Sequence, residues 1–180
     1  MKKAIRWPSA SLVTLKSAKK HTTRQMNTTK QMLFVADSML GKLARYLRTM
    51  GYDTIYQKNY SEQELSELVA GGRVLLTRSS ARFSEYSQAI FIDQDLVRDQ
   101  LELVDSRIRV NRDRKKWFTR CIVCNSILSK VHREVAQAHV PDYVFFRYPE
   151  KIQFCPVCER YYWPGTHRES MLARLKDWGF

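Results

Sequence analysis

All four cysteines of this chain stand in two Cys-x-x-C pairs, Cys121 with Cys124 and Cys155 with Cys158. No other feature constrains the fold as strongly. A Cys-x-x-C turn aims two thiolates at one point, and two such turns complete the closed tetrahedral sulfur shell that zinc takes in structural sites. A rubredoxin-like iron site uses the same four thiolates. A disulfide framework allows three pairings, and a redox role accounts for one pair but not the second. Zinc accounts for all four residues. Thirty residues separate the pairs, more than a simple ribbon requires, which predicts a zinc ribbon carrying an inserted segment. Thiolates that must stay reduced imply a reducing compartment, so the expected location is cytoplasmic.

The formal net charge of +13 is unevenly spread. Residues 1–31 hold eight Lys or Arg and no acid, which leaves +5 for residues 32–180. Three readings of this basic N-terminal extension stand open: a disordered tail, a targeting segment, or a stretch ahead of a true start at Met32. No apolar run approaches the roughly 18 to 20 residues of a membrane span, so no membrane partner is expected. No pattern in the chain specifies its oligomeric state.

From Met32 the pattern alternates strand and helix, as in an α/β domain with a parallel sheet flanked by helices. Leu33 to Ala36 reads as the first strand. Leu40, Leu43, Ala44, Leu47 and Met50 then share one helical face, with Lys42, Arg45 and Arg48 assigned to the surface. Gly51 stands where a left-handed cap is needed. Thr54 to Tyr56 is a second strand, and Ser61-x-x-Glu64 opens a helix by a capping box. Val74 to Leu76 forms a third strand ending at Thr77 and Arg78, followed by a short polar helix. Ala89 to Ile92 is a fourth strand, and Asp95 to Val104 a helix with Leu96, Leu101 and Val104 inward. The expected organisation is an α/β domain over 32–106, a basic connector over 107–120, and a ribbon with a C-terminal helix over 121–180. Within that last part, Val131 to His139 reads as helix, Tyr143 to Tyr148 as an aromatic strand, and Thr166-x-x-Glu169 as a second capping box.

Asp37 follows the first strand at the carboxyl edge, where open parallel sheets place their sites. A carboxylate there either binds magnesium or manganese or caps the next helix. Metal-assisted hydrolysis needs several converging acids, and of Glu62, Glu64, Glu67, Asp93 and Asp95 the best placed is Asp93, at the end of the fourth strand. Lys42, Arg45 and Arg78 are candidate phosphate contacts beside that edge. Arg112, Arg114, Lys115 and Lys116 lie in a run of seven cations against one acid, whose mutual repulsion a polyanion relieves. Each of these cations is otherwise an ordinary solvated residue. The dense aromatics from Tyr143 to Trp163 serve either to stack unpaired bases or to make the ribbon's own core.

Phe34-Val35-Ala36-Asp37-Ser38-Met39-Leu40-Gly41-Lys42-Leu43-Ala44-Arg45-Tyr46-Leu47-Arg48, then Gly51-Tyr52-Asp53 and Val74-Leu75-Leu76-Thr77-Arg78, resembles the Mut-seven-C ribonuclease domain family. Cys121-Ile122-Val123-Cys124-Asn125, Cys155-Pro156-Val157-Cys158 and Tyr162-Trp163-Pro164-Gly165-Thr166-His167 extend the resemblance through the ribbon. It implies a PIN-like nuclease fold with a C-terminal zinc ribbon, and a divalent-metal ribonuclease acting on RNA with Asp37 as a metal-binding acid. The family usually continues its Thr-Arg step with an aspartate, whereas this chain has Ser79, so either Asp93 or Asp95 fills the gap or the domain binds without cutting. The leading expectation is therefore an RNA-acting, metal-dependent ribonuclease. Its rivals are an RNA-binding module of the same shape that has lost catalysis, and a zinc-stabilised protein-interaction adaptor.

Overall fold

The computed structural model describes residues 32–180; the basic extension over 1–31 lies outside the described residues. Four short runs of apolar and β-branched residues form β1 (Leu33–Ala36), β2 (Asp53–Tyr56), β3 (Val74–Thr77) and β4 (Ala89–Phe91). They pair in parallel in the order β2-β1-β3-β4. Parallel neighbours require crossovers, supplied by α1 (Gly41–Thr49), α2 (Glu62–Ala70) and α3 (Ser80–Glu85). A longer α4 (Val97–Ile108) follows β4. The sheet is covered on both faces. Phe34, Ala36 and Leu76 belong to a core shared with α1 and α4, while Val35 and Leu75 turn the other way onto Leu65 of α2 and Tyr60.

The apolar stripe of α1 is buried as its spacing predicts, with Leu40, Leu43, Ala44, Leu47 and Met50 at most 2% exposed. Gly51 adopts a φ of 89°, the conformation that favours glycine at a helix end. The capping box at Ser61 and Glu64 forms in full. Arg48 corrects the surface assignment: it is 3% exposed, because the carbonyls of Thr54, Ile122 and Val123 draw its guanidinium inward. Leu96 also departs from expectation, since α4 begins one residue after it and leaves its side chain outside. The same helix runs on to Ile108, past the expected start of the connector.

The cysteine module holds a three-stranded antiparallel ribbon of β5 (Ser129–Lys130), β6 (Gln153–Phe154) and β7 (Tyr161–Tyr162). The expected insertion is a helical pair, α5 (Arg133–Gln137) and α6 (Asp142–Arg147), between β5 and β6. Tyr143 to Tyr148 is thus not a strand. Pro141 precedes the helix with Asp142 in its first turn, and consecutive Val144 and Phe145 are buried with Ala136, Val140 and Ile152, a pairing that strand alternation cannot give. Helix α7 (Thr166–Asp177) is capped by Gly165 without a side-chain bond, so the second capping box does not form. A Cβ on Gly165 would meet Trp163 Nε1 at 2.9 Å. Met171 and Leu175 of α7, with Phe180, join the core of the α/β layer, and the described residues form one compact unit.

Candidate functional site

Two centres carry chemistry-bearing side chains. The first follows from topology. The chain leaves β1 for β2 on one side and returns to β3 on the other, so the carboxyl ends of β1 and β3 flank the switch point at which open parallel sheets bind ligands. Asp37 directly follows β1 there and is 6% exposed. Thr77, Arg78 and Ser79 follow β3 beside it.

Asp37 accepts from three protein donors. Its Oδ1 accepts from the amide of Ser38 at 2.7 Å and from Arg82 at 2.7 Å, and its Oδ2 accepts from the Thr77 hydroxyl at 2.8 Å. Burial favours the neutral acid, but the bonds from Thr77, Ser38 and Arg82 outweigh it and hold the carboxyl below its ordinary value. The other arm of Arg82 bonds Glu62 Oε1 at 2.8 Å, so one guanidinium bridges the two acids. Ser79 sets this up. Its hydroxyl accepts from the Arg82 amide at the start of α3, and the first turn of α3 carries Arg82 back to Asp37.

A magnesium or manganese ion needs several anionic oxygens around it. At this edge Asp37 meets one hydroxyl, one amide and a guanidinium, and that guanidinium stands between it and Glu62, so the residues as arranged do not fit such an ion. Asp93 is exposed just beyond β4, with no hydrogen bond or ion pair among the described residues. Asp95 pairs with Arg78 at 2.7 Å. Lys42 and Arg45 lie exposed on α1. Sequence reading did not single out Arg82. The signal was available, since an arginine three residues into a helix that starts at the switch point reaches back to the strand ends.

The second centre is the cysteine cluster. One ligand sulfur from each of Cys121, Cys124, Cys155 and Cys158 lies within 4.8 Å of the others. The separations of Cys121 from Cys158 and of Cys124 from Cys155 are 3.5 and 3.3 Å. A tetrahedral ion bound at about 2.3 Å sets sulfurs roughly 3.8 Å apart, so the four residues fit one metal ion after a small outward adjustment. Among the described residues this is the one cluster of metal-binding type.

The Cys121 knuckle is bolted to the sheet. Asn125, at a φ of 74°, accepts from the Thr54 amide through Oδ1 at 3.0 Å and donates from Nδ2 to Asp53 at 2.9 Å. Asp53 also pairs with Arg73 and Arg120. Arg120 donates to the carbonyls of Gly51 and Asn125. Buried Arg48 completes the joint from α1.

The connector cations divide into two groups. Arg112 bonds Asp105 and the Gly179 carbonyl and lies over the Phe180 ring. Arg114 lies over Trp117. Lys115 and Lys116 are exposed.

With this geometry in view, the Mut7-C RNAse domain matches residues 32–175. The chain belongs to the Mut7-C RNase domain family. The match spans both the sheet and the four-cysteine ribbon, so the two centres described here are parts of one family unit. Among curated proteins and solved structures, comparison finds no match. No helix among the described residues is long and apolar enough to cross a membrane.

Proposed function

We propose that this protein is an RNA-binding member of the Mut7-C RNase domain family, with zinc holding its ribbon and with the edge at Asp37 closed to catalytic metal. Family membership supports RNA as the partner. The observation that carries the rest is the bridging guanidinium of Arg82, which puts a positive charge between Asp37 and Glu62. A divalent ion drawn to those acids would meet that charge and would have to displace it. Ser79 compounds the effect, because a hydroxyl offers metal no charge where the family's aspartate would.

Zinc is the metal that suits the ribbon, since four thiolates in a closed shell with no open position serve structure rather than catalysis. Lys42 and Arg45 on α1, with Lys115 and Lys116 on the connector, are exposed cations free to meet phosphate. A metal-dependent ribonuclease is the competing reading, and the switch-point position of Asp37 is what favours it.

The two readings part in an affinity measurement. Labelled single-stranded RNA is titrated by fluorescence anisotropy across a range of salt, with and without manganese. The proposal expects binding that falls steeply with salt, as phosphate contacts require, and that neither manganese nor Asp37→Asn alters. Manganese-dependent affinity that disappears in Asp37→Asn would establish the ribonuclease reading instead. An absence of RNA binding would remove both.

A further inference from the structure

A cleft of about 390 Å³ opens on the ribbon, between β7, α6 and the start of α7. Its walls bring together the side chains of Tyr143, Arg147, Tyr148, Tyr162, Trp163 and Arg168. We infer that this cleft takes one unstacked base of single-stranded RNA, with Arg147 and Arg168 meeting its flanking phosphates. The inference rests on the RNA-binding reading above and assigns that binding to a place.

Size comes first, since the volume falls in the range of small-ligand pockets, roughly 300 to 1,000 Å³. Lining chemistry comes next. Tyr143 is 70% exposed on α6, a large ring in water that contributes nothing to the small core beneath it. Aromatic faces of this kind hold bases whatever their sequence, because every base offers a π surface.

Charge completes the case. Arg168 is partly buried and takes part in no ion pair among the described residues; its guanidinium lies 4.5 Å from the centre of the Phe118 ring. Burial lowers its pKa, and no anion offsets that loss. A cation withdrawn from water without a counter-ion is costly, and an arriving phosphate repays that cost with charge-assisted bonds. Arg147 likewise lacks a carboxylate partner among the described residues, and it lies over the Tyr148 ring. Glu169 is the one acid on the rim. The floor is held in place because Tyr162 Oη lies 3.0 Å from Cys121 Sγ, which ties the cleft to the metal centre.

A protein partner with an acidic or aromatic peptide is less well matched. Two arginines without carboxylates, set beside the exposed ring of Tyr143, suit alternating phosphate and base.

The test uses the full zinc-loaded chain and a labelled eight-nucleotide single-stranded RNA, alongside the same RNA made abasic throughout. Tyr143→Ala and Arg147→Gln alter exposed side chains and should leave the fold intact, which circular dichroism checks. Each is expected to weaken binding, Tyr143→Ala by about 5- to 150-fold if one base stacks there. Arg168→Gln should lower the log-log salt slope by about 0.7 for one lost single-strand phosphate contact. Arg98→Gln, on α4 away from the cleft, is the control for lost charge and should leave affinity nearly unchanged. Abasic RNA should bind wild type weakly and be indifferent to Tyr143→Ala. The assignment is overturned if abasic RNA binds as well as the intact strand, if Tyr143→Ala and Arg147→Gln bind like wild type, or if Arg98→Gln loses as much as they do. If wild type binds no RNA, the underlying reading fails rather than the assignment alone.

Discussion

Arg82 of α3 ties the residue after β1 to the start of α2. Its two arms hold Asp37 and Glu62 together, and the pairing has a consequence for stability against pH. The folded-state pKa of Asp37 is lowered, despite burial, by Thr77, Ser38 and Arg82. That of Asp53 is lowered, despite burial, by Arg73, Asn125 and Arg120. Carboxyls depressed in the folded state add stability above their unfolded value, and lose it as pH falls through the folded one. Wild type should therefore lose stability from about pH 5 downward. Asp37→Asn should be less stable at pH 7, by about 1 to 3 kcal/mol, yet lose less on acidification. Urea midpoints at pH 7 and pH 3 test this, and equal losses in the two proteins would mean the carboxylate gains nothing from Thr77, Ser38 and Arg82 together.

At the scale of elements, Gly51 ends α1 and also lets the connector pass. A Cβ there would stand 2.4 Å from the carbonyl oxygen of Lys116, and the φ of 89° is unfavourable for any other residue. Gly51→Ala should cost at least about 1 to 2 kcal/mol from the backbone conformation alone, and a denaturant midpoint equal to wild type would show that the connector moves aside freely. The sequence made this position legible, along with the four strands, the α1 stripe and the Ser61 box, because each rests on local spacing or local backbone chemistry. Asp37 at the sheet edge and the four cysteines were legible for the same reason. What escaped was set by partners distant in the chain. Arg48 reads as a surface cation until carbonyls 74 and 75 residues away claim it. Tyr143 to Tyr148 reads as a strand until Ile152 and Ala136 select the helical pairing of Val144 with Phe145. Arg82 gains its meaning only when α3 folds back over the end of β1.

Across the whole molecule, the ribbon and the sheet behave as one structure. Met171, Leu175 and Phe180 share the core of the α/β layer, and Asn125, Arg120 and Arg48 fasten the cysteine knuckle to it. Structural zinc contributes on the order of 10 kcal/mol to small modules. Removing it here should loosen the joint and weaken the sheet as well. The protein should carry about one zinc per chain, lost in Cys155→Ser, and chelation should lower the melting temperature of a single transition. Two separated transitions would show a ribbon that unfolds alone. On the proposed reading, this member of a ribonuclease family holds RNA without cutting it. The direct measurement is cleavage of end-labelled single-stranded RNA by the zinc-loaded protein, with added manganese or magnesium, for wild type and Asp37→Asn side by side. Intact RNA is expected in both, at protein concentrations that bind all of it. Divalent-dependent cleavage by wild type that Asp37→Asn abolishes would contradict the RNA-binding reading.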